Sequence, residues 1–163
     1  MRKIFPMSNK NCIFVASLIK RLSFLINTNR NDMMHQLITI EYPLSTKSPN
    51  IIWDMISTSA GLQKWIADYV EDTADGFSFT WGEPWTQQDT KISHILESEK
   101  FSRIRLKWDD QEEGDFWEMR IEKSELTGKL SLIIIDHAEE DDVDYIKEVW
   151  DKNLNRLHTA SGL

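Results

Sequence analysis

The chain has 163 residues and a mass of 19.2 kDa, the size of one domain and too short for two comfortable ones. With 40% hydrophobic and 28% charged residues, six glycines and four prolines, its composition is that of an ordinary globular protein and excludes collagen-like and low-complexity classes. A net charge of −8 argues against a nucleic-acid or anionic-membrane partner, and the single cysteine, Cys12, excludes an internal disulfide.

The charge is unevenly spread. Up to Asp32 the chain carries Arg2, Lys3, Lys10, Lys20, Arg21 and Arg30 against one acid, for +5, whereas the remainder carries −13. Such a break marks a tail or extension rather than one continuous core. The apolar run from Cys12 to Ile19 looks superficially like a secretory signal. Lys20 and Arg21 interrupt it, no small-x-small cleavage site follows, and it is far short of the ~18 apolar residues that span a bilayer. Residues 1–33 are therefore expected to be a basic N-terminal extension outside the core, with one domain over residues 34–163 and a cytoplasmic location.

From Gln36 the pattern becomes regular. Gln36–Leu44 alternates and ends at Pro43, as an edge or terminal strand does. Ser48 and Pro49 open a helix as N-cap and first helical residue, with Ile52, Met55 and Ile56 on one face and Trp53 beside them. Ser57-Thr58-Ser59 stops it and caps a second short helix over Gly61–Ile66. Strands are then predicted over Phe77–Trp81, Thr86–Glu97, Phe101–Trp108, Phe116–Lys123 and Leu130–Ile135. In two of them the alternation is clear: Ile104, Leu106 and Trp108 oppose Arg103, Arg105 and Lys107, and Trp117, Met119 and Ile121 oppose Glu118, Arg120 and Glu122. The charged sides should form a solvated face with cross-strand ion pairs. Acidic residues Glu139–Asp144 precede a terminal helix whose apolar stripe is Val143, Ile146, Val149, Trp150, Leu154 and Leu157. The expected class is α+β, an antiparallel sheet burying one face against the last helix.

No motif fixes a reaction. The four histidines, His35, His94, His137 and His158, lack zinc-ligand spacing, and Asp109–Gly114 begins like a calcium loop but has Arg120 where a bidentate Glu belongs. No cofactor or metal is expected. The informative residues are aromatic: Trp53, Trp65, Trp81, Trp85, Trp108, Trp117 and Trp150 all follow residue 34. Most serve a core in any protein, yet Ile104, Leu106, Trp108, Trp117, Met119 and Ile121 share the apolar faces of adjacent strands and could line a pocket with Trp150 of the helix. Trp81 and Trp85 bracket Gly82-Glu83-Pro84 and could sit at its mouth.

Ser48-Pro49-x-x-Ile52-Trp53, Thr58-x-x-Gly61-Leu62-x-x-Trp65, Phe79-x-Trp81 and Trp150-x-x-x-Leu154-x-x-Leu157 resemble the START-like (SRPBCC) domains grouped with activators of the heat-shock chaperone ATPase. That resemblance implies a helix-grip fold, a curved antiparallel sheet around a long C-terminal helix with a cavity between them. It also implies noncatalytic binding of an apolar or amphipathic small molecule, and it carries no universal catalytic set. The alternatives are a protein-interaction module, such as a chaperone partner, and then a cyclase- or hydrolase-like enzyme. The enzyme reading needs an inward acid or base, for which Asp136 has the right strand parity, with His137 pointing the other way.

Overall fold

A computed structural model describes residues 35–163, so the basic segment expected to lie outside the core also lies outside the described residues. The elements are β1 (His35–Pro43), α1 (Pro49–Ser57), α2 (Ser59–Leu62), β2 (Tyr69–Asp72), β3 (Gly76–Trp81), β4 (Asp89–Glu99), β5 (Arg103–Trp108), β6 (Trp117–Lys123), β7 (Leu130–Glu139) and α3 (Val143–Ser161). All seven strands form one antiparallel sheet in the order β1-β7-β6-β5-β4-β3-β2. The acidic run expected to lead into the last helix is a single 3-10 turn, Glu140–Asp142, and α3 then crosses the inner face of the sheet. The α+β helix-grip expectation is met.

Alternation decides which side chains go inward. On β7 the residues Leu132, Ile134 and Asp136 face α3 and pair across β1 with Tyr42, Ile40 and Ile38. Ile133 and Ile135, on the opposite face, are buried as well, which is why this strand reads as an unbroken apolar run. The paired helices are set by Thr58 and Gly61. Thr58 Oγ1 accepts from the Gly61 N–H at 3.0 Å and donates to Asp54 O at 2.6 Å, drawing α2 onto the end of α1. A Cβ on Gly61 would lie 2.0 Å from Asp54 O, so only glycine permits that approach.

Several boundaries differ from the sequence reading. β2 was not anticipated, because Tyr69-Val70-Glu71-Asp72 is short and buries only Val70, as an edge strand does. α2 ends at Leu62, and the chain continues to Ile66 as a turn. Ser48 makes no side-chain cap; its N–H instead donates to Thr46 Oγ1 at 3.1 Å. Phe101 belongs to the β4–β5 turn rather than to a strand. It adopts φ 64°, unusual for a bulky residue, and its ring meets Trp53 edge-on at 6.2 Å, a contact that offsets the backbone cost. β4 starts at Asp89 because Glu83–Thr86 forms a turn closed by the Thr86 N–H on Glu83 O at 2.9 Å.

Candidate functional site

Most of the residues expected to line a pocket converge on the inner face of the sheet. Ile104, Leu106, Trp117 and Met119 are fully buried there, and Trp150 meets them from α3. Trp81, Trp108 and Ile121 are partly buried against the same cluster. The indoles form a continuous run. Trp108 stacks on Trp117 at 5.1 Å and 10°, Trp117 meets Trp150 at 6.0 Å, and Trp150 meets Trp65 at 6.2 Å. Phe79 adds an edge-on contact to Trp108 at 5.1 Å and stacks on Trp81 at 6.1 Å. The run therefore reaches from the enclosed helix contact at Trp65 to a half-buried edge at Trp81 and Trp108.

Hydrogen bonds fix four of these rings. Nε1–H donates to Ser93 Oγ from Trp117 (3.0 Å), to Asp136 Oδ2 from Trp150 (2.9 Å), to Met55 O from Trp65 (3.0 Å) and to Ile66 O from Trp81 (2.9 Å). Each bond satisfies a donor that burial would otherwise leave without water. Trp108 differs: no hydrogen bond joins its indole N–H to a described residue. Rather than enclosing an open chamber, the rings pack on one another. Two surface hollows, one bordered by Lys47 and Lys123 and the other by Lys64 and Arg156, include none of these indoles.

Trp85 stands apart from the cluster. It is 81% exposed, because Pro84 and Trp85 occupy the middle of the Glu83–Thr86 turn and carry the ring away from the sheet. Of the two residues expected at a pocket mouth, Trp81 packs on the aromatic cluster and Trp85 does not. Sequence reasoning missed Ser93, buried beneath Trp117, and Asn153, 6% exposed on α3 between Trp150 and Leu157. The signal for Asn153 was available, since it falls within the apolar stripe at helical spacing.

The inward carboxyl of Asp136 is engaged at both oxygens, by Trp150 on Oδ2 and by the His137 N–H on Oδ1 at 2.8 Å. It orients an indole. His137 lies on the opposite side, where Nδ1 and Phe116 O are 2.9 Å apart. No group of three or more metal-ligating side chains forms among the described residues.

The outer face is held by charge. Arg105 reaches Glu118 with Nε at 2.8 Å and Nη2 at 2.7 Å, while its guanidinium lies over the Phe116 ring at 4.1 Å. Arg120 approaches the same carboxylate at 3.4 Å. The cross-strand pairing agrees with the sequence, but Glu118 is only 1% exposed, so this carboxylate is not solvated: Arg105 and Arg120 flank it. Farther along, His94 bridges Asp75 (2.8 Å) and Asp109 (2.5 Å). Two carboxylates at its two nitrogens call for both ring protons; the hydrogen bond to Asp109 and then that to Asp75 hold its pKa above the ordinary 6.5.

A family model described as a START-like superfamily domain matches residues 33–163. The chain belongs to the START-like superfamily. A solution structure of a Bacteroides fragilis protein is 36% identical, with a TM-score of 0.54 over 78% of this chain and 91% of that one. Two distant structures share the fold. The Aha1 dimer from Colwellia psychrerythraea is 14% identical, with a TM-score of 0.59 over 78% of this START-like chain and 98% of its own. DynU16, a protein of the dynemicin biosynthetic locus, is 13% identical, with a TM-score of 0.60 over 81% of this chain and 49% of its own. No curated protein sequence matches the chain. Among the described residues, no helix is long and apolar enough to cross a membrane.

Proposed function

We propose that the domain binds flat, apolar small molecules without transforming them, taking them in along the Trp81–Trp108 edge between sheet and α3. The observation that carries this reading is the aromatic run itself: enclosed at Trp65 and Trp150, half-buried at Trp81 and Trp108, and ending at an indole whose N–H has no acceptor among the described residues. A flat ring extends such a run by stacking, and an acceptor on it satisfies the free donor of Trp108. START-like domains generally bind hydrophobic ligands, which supports the same class. A cytoplasmic location belongs to this proposal.

Calorimetric titration with 1-naphthol tests it. Saturable binding with a negative heat-capacity change is expected, as apolar area leaves water, together with a rise in melting temperature that grows with ligand concentration. Trp108→Ala should weaken binding at least tenfold. Binding that never saturates, or that Trp108→Ala leaves unchanged, contradicts the reading.

A second reading rests on Trp85. An indole 81% exposed on a hydrogen-bonded turn suits a protein partner with an aromatic-accepting hollow, as a chaperone-partner module would require. Under this reading Trp85→Ala abolishes partner capture and leaves naphthol binding intact.

A further inference from the structure

The inner side of α3 carries one polar residue that neither helix formation nor packing accounts for. Asn153 sits mid-helix, where asparagine is a poor helix former, in the stripe that contributes Trp150, Leu154 and Leu157 to the core. It is 94% buried, yet no hydrogen bond joins its amide to any described residue. Nor is that amide among the sealed polar atoms that lack a partner, so solvent-sized space reaches it. A largely buried amide with no partner among the described residues leaves its hydrogen bonds to whatever fills that space, water or a ligand group.

The surroundings locate that space. Asn153 follows Trp150 by three residues and precedes Arg156 by three, so the three side chains succeed one another along one flank of the helix. Arg156 donates to Ala67 O at 3.3 Å and lies 4.0 Å from Asp68, while Trp81 donates to the neighbouring Ile66 O. The Ile66–Asp68 segment is thus fastened both to this flank and to the aromatic edge. Through Arg156 at one end and Trp81 at the other, this segment ties the helix flank that carries Asn153 to the half-buried aromatic edge.

We infer that Asn153 reads the polar group of the ligand, and that the ligand is a neutral aromatic molecule bearing a hydroxyl or carbonyl. This inference rests on the binding reading above. The amide offers one acceptor and two donors and no charge, so it suits either group. An anionic ligand is disfavoured, since Arg156 is already engaged with Ala67 and Asp68, and the carboxyl of Asp136 lies against Trp150, one helical turn away.

The test compares 1-naphthol with naphthalene, which share a ring system and differ by one hydroxyl. The full chain should bind 1-naphthol at least tenfold more tightly than naphthalene, and Asn153→Leu, close in volume, should remove that preference while retaining naphthalene binding. The melting temperature of Asn153→Leu should not fall, since no hydrogen bond to a described residue is lost and apolar area is added to the stripe. If that variant does not fold, Asn153→Ala makes the same comparison. Equal binding of both compounds by the wild type, or a preference surviving in both variants, overturns the role of Asn153 and leaves the binding reading standing. Failure of the wild type to bind either compound overturns the binding reading and this inference together.

Discussion

The two faces of the β5–β6 pair are built from alternating residues of the same strands and are held in opposite ways. Inward, Ile104, Leu106, Trp117 and Met119 are sealed by shape, and the polar atoms there exist mainly to satisfy indole N–H groups. Outward, Arg105 and Arg120 enclose Glu118, so a carboxylate is as well buried as the core side chains beneath it. Burial alone therefore does not distinguish the faces. What differs is what removing one group leaves behind: a cavity on the inside, an uncompensated charge on the outside.

The largest expected effect lies on the inner face. Trp150→Ala removes the contacts to Trp65 and Trp117 and leaves Asp136 Oδ2 without its indole donor. It should cost about 3–5 kcal/mol in chemical denaturation, a large part of the stability of a domain of this size. A loss below about 1 kcal/mol means that α3 does not grip the sheet at this point. On the outer face, Arg105→Met keeps the cover over Phe116 but removes the closest cation from Glu118. Because Arg120 remains, the expected cost is about 1–3 kcal/mol, and adding Glu118→Gln should recover part of it. If the double variant is no better than the single one, the packing of Arg105 matters more than its charge.

This contrast was only half legible in the sequence. Alternation placed Trp117 and Met119 on one side and Glu118 and Arg120 on the other, because strand geometry leaves no other choice. It did not show that Glu118 is buried, since that depends on Arg105 folding over Phe116 from the neighbouring strand. The paired helices were readable because Thr58 and Gly61 act locally, through a cap and a missing side chain. By contrast, Phe101 reads as strand from its type and enters a turn because Trp53, far away in sequence, receives its ring. Trp81 and Trp85 looked equivalent. They separate because one donates to Ile66 while the other occupies a turn.

The smallest effect distinguishes the exposed end of the outer face from its buried middle. His94 has a raised folded-state pKa, so its bridge adds stability that is fully present below pH 6.5, while the aspartates remain ionised, and fades as the pH rises through the folded value. The melting temperature of the wild type should therefore exceed that of His94→Gln under mildly acidic conditions, with the gap closing toward alkaline pH. A gap that widens with pH contradicts the bridge.

The central claim is that ligand enters at the half-buried end of the aromatic run, and the seven tryptophans report on it individually. Their indole N–H signals can be followed by nitrogen-15 NMR as 1-naphthol is added to the full chain. The account predicts saturable shifts led by Trp108, whose donor is free, and Trp81, with Trp85 and Trp53 unmoved. Shifts confined to Trp85, or none at saturating ligand, would contradict it.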